Sequence, residues 1–175
     1  AGGQMNEGIT STLLGLKGIP NLSEEIMVNR DLFLNEYCES KLHFTTISTG
    51  KAVELIKKAK KQQQVSCDVA AHNLFFDDEA LDTFDSNLKR LKDGTIDAIV
   101  SDHQPLDIEC KKLEFDHADF GITGLQTCFA AANTATLDQV KLDVLIAAMS
   151  SNPRNLLQLE EVSITKGQKA NLTLF

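Results

Sequence analysis

Apolar positions along the chain fall into two patterns: stripes spaced three to four residues apart, and short alternating or unbroken runs. Leu22, Ile26, Phe33 and Tyr37 lie near one face of a helix predicted over residues 22–37. Asn21 precedes it and Glu24 follows three residues on. That is a capping-box spacing, in which the Asn21 side chain accepts from the first turn and Glu24 reaches back. Residues 41–48 alternate and are rich in Thr, Phe and Ile, which predicts a strand. Thr49-Gly50 turns into a helix over 51–62 with Ala52, Leu55, Ile56 and Ala59 as its stripe. Lys57, Lys58, Lys60 and Lys61 fall largely on the opposite, solvated face. A strand follows at 65–69, then short helices from about Asp77 and over 87–92. The run IDAIV at 96–100 is flanked by Asp93-Gly94 and Ser101-Asp102 and reads as a parallel strand buried on both faces. Helices are predicted at 121–133 and 137–149, with a last helical turn at Asn152-Pro153. Residues 162–164 and 172–175, with Gly167 between them, read as a small β-unit.

Strands alternating with helices define an α/β chain with a parallel sheet. Three clear strands cannot close a barrel. The alternatives are a small open sheet or part of a (β/α)8 barrel. Composition narrows the function. At 175 residues with 42% apolar content, the chain has a core to build and room for one domain. A net charge of −8 with no basic run argues against nucleic acid and against anionic membrane. Without Trp and with one Tyr there is no stacking platform for bases, and no apolar run reaches membrane-span length. Cys38, Cys67, Cys110 and Cys128 form no CxxC pair and read as reduced, mostly buried thiols of a cytoplasmic protein. The start, AGGQMNEG, has no signal-peptide character and reads as the interior of a longer protein.

The strongest chemical candidate is Asp102, in Ser101-Asp102-His103-Gln104-Pro105, directly after the buried run. Parallel α/β folds place their sites at the C-terminal ends of strands. A carboxylate there can bind a metal or act as a general base; the competing role is a helix cap or a loop hydrogen bond. Alternation points His103 away from Asp102, toward packing. His72 sits just past a strand end and can line a site, His43 lies within a strand, and His117 lies in a solvated acidic loop. No HxH or HExxH is present. Ser48-Thr49-Gly50-Lys51 lacks the upstream glycine of a P-loop, although a helix N-terminus there could hold an anion.

Several blocks taken in order carry more than any single motif. They are QMNEG at 4–8, GLKGIP at 15–20, EEIMV at 24–28, LHFTTIST at 42–49 and DVAAHNLFF at 68–76. DGTIDAIVSDHQP at 93–105, FGITGLQT at 120–127, Asn152-Pro153 and KGQKANLTLF at 166–175 complete the series. The series resembles the C-terminal half of class I dihydroorotases, members of the amidohydrolase superfamily. The resemblance implies a (β/α)8 barrel with a small β-sandwich built from both chain ends. Residues 1–160 would belong to the barrel and 161–175 to the sandwich. It implies zinc, one or two ions, and reversible hydrolysis of dihydroorotate to N-carbamoyl-aspartate in pyrimidine biosynthesis. It also implies a homo-oligomer. Asp102 matches the strand-end carboxylate that binds metal and accepts a proton, and Gly124 matches a backbone that contacts substrate. The family's HxH pair, bridging carboxylate and HCED-type histidine would lie upstream of Ala1.

Departures from the family pattern define a second reading. Thr46 stands where the family has a metal-binding histidine, and a neutral hydroxyl is a far poorer zinc ligand than imidazole. Leu106 stands where a substrate-binding histidine is expected. The family's PHHL reads Ala71-His72-Asn73-Leu74. Asn87 runs into Leu88-Lys89-Arg90 where the family carries a longer segment with a PPLR motif. That segment is either deleted or a mobile active-site loop absent from this sequence, the second being preferred because the flanking blocks match on both sides. Two lost functions on different ligands describe a degenerate homologue, a non-catalytic partner of aspartate transcarbamoylase. A hydantoinase or allantoinase relative is a third reading, less favoured by FGITGLQT and the block around Asp102.

Overall fold

The runs at 41–48, 65–69 and 96–100 form one sheet, because each buries an apolar face that no single strand can cover. The computed structural model describes residues 2–76, 91, 93–114 and 117–174. In it β3 (Leu42–Phe44), β4 (Val65–Ala70) and β5 (Ala98–Val100) run parallel in the order β3-β4-β5. Leu42 pairs with Val65 and Asp68 with Ala98. Two-residue strands β1 (Met5–Asn6) and β2 (Gly18–Ile19) make a separate parallel pair around α1 (Ile9–Leu14). The remaining helices are α2 (Leu22–Cys38), α3 (Gly50–Ala59), α4 (Ala71–Phe75), α5 (Ile108–Lys111), α6 (Cys128–Thr136), α7 (Leu142–Met149) and α8 (Ser151–Leu156).

Period-two alternation divides the sheet into unlike faces. Phe44, Cys67, Val69 and Ile99 pack against Val28 and Leu32 of α2, Val53 and Ile56 of α3, and Leu145 of α7. The other face carries His43, Ser66, Asp68, Ala98 and Val100. It borders a cavity of about 620 Å³ that the end of α8 helps to line. Of the run at 96–100 only Ala98–Val100 is strand; Ile96, Ala98 and Ile99 are buried, at 2%, 3% and 5% exposure, and Val100 is half-buried.

Several expectations need correction. In α2 the buried residues are Val28, Leu32 and Asn35, whereas Leu22, Ile26, Phe33 and Tyr37 are exposed. The helix carries apolar residues on two faces, and packing on α3 selects the one the periodicity did not favour. Asn21 is itself helical and makes no side-chain cap; Glu24 turns away to α3. The strand over 41–48 stops at Phe44 because Thr46 takes a left-handed conformation, φ 53°. Residues 121–127 are not helical, and α6 begins only at Cys128. Likewise α7 begins at Leu142, after a left-handed Asp138. Of the four free thiols only Cys67 is buried, and Cys38 is exposed. Residues 162–164 and 172–174 form no strand among the described residues and are exposed. The helix expected from Asp77 lies outside the described residues, as does that over 87–92 except for the buried Leu91.

Candidate functional site

Parallel pairing brings the C-terminal ends of β3, β4 and β5 to one edge, so Thr46, His72 and Asp102 all follow strand ends on the same side. Thr46 and Asp102 share an uncommon backbone, with φ of 53° and 43°. A left-handed residue at a strand end breaks the alternation and re-aims the side chains that follow.

At the β5 end, Gln104 Nε2 donates to Asp102 Oδ1 at 2.6 Å. His72 Nε2 lies 3.7 Å from Asp102 Oδ2, an ion-pair distance and too long for a hydrogen bond. Both side chains are about a quarter exposed, at 22% and 26%. His72 Nδ1 is buried and has no hydrogen-bond partner. His72 borders a second cavity, of about 410 Å³, together with Phe75, Ser101, Thr123, Gly124 and Cys128. Burial pushes the Cys128 thiol up, which disfavours a thiolate in this cavity. Gly124 is buried, and a Cβ there would lie 2.4 Å from the Ser101 carbonyl oxygen, so no side chain fits. His103 points to the Gly124 segment, its Nδ1 accepting from Gly124 N at 3.2 Å.

The β3 end is built differently. Asp68 of β4, 4% exposed, accepts from Thr46 N at 2.6 Å and from Thr45 Oγ1 at 3.1 Å through one oxygen. Its other oxygen meets His43 Nε2 at 2.9 Å, and His43 Nδ1 meets Ser66 Oγ at 2.7 Å. Asp68 therefore holds residue 46 in its left-handed turn. His43 is a satisfied histidine of the open sheet face. Sequence reasoning missed Asp68, whose signal was a single carboxylate inside the apolar run VSCDVA.

The other candidates are structural. The N-terminus of α3 is occupied by the chain's own Glu24, which accepts from Ser48 Oγ at 2.6 Å and Thr49 N at 2.9 Å. An anion does sit at this helix end, as the sequence suggested, but it is supplied from α2. The lysine face of α3 is partly engaged: Lys57 pairs with Asp93, and Lys60 with Asp97 at 2.5 Å. Leu106 is 41% exposed beside Gly121, and His117 is exposed. Among the described residues no three His, Cys, Asp or Glu side chains converge as a metal site. These residues alone do not fit a zinc ion: Asp102 is a suitable donor, Thr46 is not, and His72 is a neighbour of Asp102 rather than part of a closed set. No helix among the described residues is long and apolar enough to cross a membrane.

This arrangement, candidate site residues at the C-terminal edge of a parallel sheet packed against helices, defines an α/β fold of the kind that carries its sites at strand ends. An L-hydantoinase (dihydropyrimidinase) from Arthrobacter aurescens superposes with a TM-score of 0.74 over 81% of this chain and 36% of that one, at 22% identity. A dihydropyrimidinase from Brevibacillus agri gives 0.71 over 78% and 35%, at 19% identity. The inactive dihydroorotase-like domain of a Chaetomium thermophilum CAD-like multifunctional protein gives 0.58 over 74% and 40%, at 20% identity. At these identities the likeness is one of fold. No family model matches the chain. Within that fold, the sequence belongs with the dihydroorotases and matches a C-terminal portion of them. It is 39% identical to the dihydroorotase of Elusimicrobium minutum over 99% of this chain, and 38% identical to that of Syntrophus aciditrophicus. The chain spans 45% of the length of each of these relatives. The alignment with the first extends over 193 positions, more than the 175 residues present, so the relative carries residues that have no counterpart here. The sequence reads Asn87-Leu88-Lys89-Arg90 and contains no PPLR.

Proposed function

We propose that this chain is the C-terminal part of a dihydroorotase barrel that interconverts dihydroorotate and N-carbamoyl-aspartate, with Asp102 as its proton acceptor. The observation that carries the reading is the carboxylate itself. Asp102 stands at the C-terminal end of β5, oriented by Gln104 and facing His72, beside a cavity bordered by Gly124. Opening the cyclic amide requires a base to take a proton from the attacking water and return it to the departing nitrogen, which suits a partly solvated carboxylate. Asp102 can hold that proton, Gln104 limits its rotation, and Gly124, packed against the Ser101 carbonyl where no side chain fits, brings its backbone to the border of the cavity a ring would occupy. Asp102 would be the donor that the described residues bring to a zinc ion, whose chemistry would be to activate water; the further donors would have to come from outside those residues. The barrel and a β-sandwich beginning near residue 161 belong to the same proposal. So do cytoplasmic location, pyrimidine biosynthesis and homo-oligomerisation.

Thr46 and Leu106 favour a second reading, a homologue that keeps the fold without the chemistry and supports aspartate transcarbamoylase. Steady-state turnover of dihydroorotate by the zinc-supplied full-length protein separates the two. Zinc-dependent activity that disappears in Asp102→Asn supports the enzyme. A folded protein that is inert supports the scaffold.

A further inference from the structure

Beyond Val100 the chain of β5 continues outside the β3-β4-β5 ladder as a strap, residues 101–104, and a second segment pairs along it. His103 bridges Ile122 in parallel register, and Gln104 N donates to the Ile122 carbonyl at 2.9 Å. Two glycines allow this closeness. A Cβ at Gly121 would lie 2.8 Å from the Gln104 carbonyl oxygen, and one at Gly124 would lie 2.4 Å from that of Ser101. Lys111 Nζ ties down the start of the segment through the Asp119 and Gly121 carbonyls, at 2.5 and 2.8 Å. At its other end, two successive backbone N–H groups converge on one atom. Gly124 N and Leu125 N donate to His103 Nδ1 at 3.2 and 3.3 Å. Successive N–H groups that converge in this way form a concavity that ordinarily takes an anion. Here a ring nitrogen fills it, and it can do so only with its lone pair free, which places the ring proton on Nε2.

We infer that His103 is a positioning residue for substrate: its imidazole clamps the Gly124–Leu125 backbone against the β5 strap and so sets where the loop meets the 410 Å³ cavity. This rests on the dihydroorotase reading, because it takes Gly124 as a substrate contact. With both N–H groups committed to His103, the loop retains carbonyl oxygens for a ligand. These suit the N–H donors of a cyclic amide and not a carboxylate. Asp102 and His103, adjacent in sequence, thus divide the work: the left-handed turn at Asp102 turns one side chain to the reacting end and the next to the loop.

The test uses the full-length protein with His103→Leu, which has no acceptor, and His103→Asn, which keeps an oxygen near the Nδ1 position. Hydrogen–deuterium exchange is followed at Gly124 and Leu125, and dihydroorotate kinetics in parallel. The leucine variant is expected to exchange these two amides about tenfold faster, with the β4 amides unchanged, and the asparagine variant to recover most of the protection. KM should rise about tenfold in His103→Leu while kcat stays within about threefold, and His103→Asn should restore KM. Unchanged exchange in His103→Leu would overturn the clamp. Faster exchange with an unchanged KM would overturn its role toward substrate. A wild-type protein that neither binds nor converts dihydroorotate would overturn the dihydroorotase reading and the substrate role with it, while exchange would still decide whether the clamp exists.

Discussion

The ends of β3 and β5 share a backbone and differ in chemistry. Both strands finish in a left-handed residue on the same edge of the sheet, Thr46 in one and Asp102 in the other. At the β5 end the residue in that turn is a partly solvated carboxylate with one hydrogen-bond donor and a histidine close by. At the β3 end it is a β-branched hydroxyl, for which φ above zero is costly, and a buried carboxylate from the next strand holds it there. The same left-handed turn presents a carboxylate at one strand end and a neutral hydroxyl at the other. Geometry and chemistry are separable in this fold, and likeness of fold alone does not tell which strand ends are active.

Replacing the two carboxylates should produce opposite kinds of damage. Asp102→Asn is expected to reduce turnover by about 10² to 10⁴-fold, the range for losing a general base, with little change in the urea unfolding midpoint. Asp68→Ala should act on stability. It leaves the Thr46 N–H, the Thr45 hydroxyl and His43 without their acceptor in a half-buried site, a cost of about 1–2 kcal/mol in equilibrium unfolding. If Asp68→Ala left stability intact, the β3 end would not be braced as described.

Thr46→Gly probes the strain directly. Glycine adopts the left-handed turn freely, so the variant should gain about 1 kcal/mol in thermal or urea unfolding, despite its looser unfolded chain. A loss of stability would mean that the Thr46 side chain contributes more by packing than its backbone costs.

The smallest expected effect lies away from both strand ends. Burial alone would raise the Asp93 pKa, but Lys57 and the Thr95 hydroxyl and amide outweigh it and hold the carboxyl below its usual range. A carboxyl depressed in the folded state contributes its stability above the unfolded pKa and loses it as pH falls through the folded value. Asp93 is largely solvated, so Asp93→Asn should flatten the acid limb of a stability–pH curve by only about a few tenths of a kcal/mol.

How much of this was legible depended on whether local or distant groups decide each feature. The run IDAIV had no competing reading, and its burial and the site-edge position of Asp102 followed from it. The α3 stripe of Ala52 and Ile56 is buried as its periodicity indicated. In α2 two apolar faces competed, and only the position of α3 selects Val28 and Leu32. The Asn21-Glu24 pattern failed for a related reason: Glu24 gains four donors from Ser48 and Thr49, more than a cap could offer it. Residues 121–127 looked helical by composition, yet the contact of Gly121 and Gly124 with the β5 strap is a tertiary fact with no local period. The brace from Asp68 to Thr46 crosses between strands 22 residues apart in sequence. It became visible only once the register of β3 on β4 was known.

The central claim is that Asp102 is the working carboxylate of a dihydroorotase-family site. It is tested most directly by measuring interconversion of dihydroorotate and N-carbamoyl-aspartate in the zinc-supplied full-length protein, wild type beside Asp102→Asn, with folding of both verified by circular dichroism. The account predicts measurable wild-type turnover that falls at least about a hundredfold in the folded variant. Equal rates in the two proteins, or no turnover in a folded wild type, would contradict it.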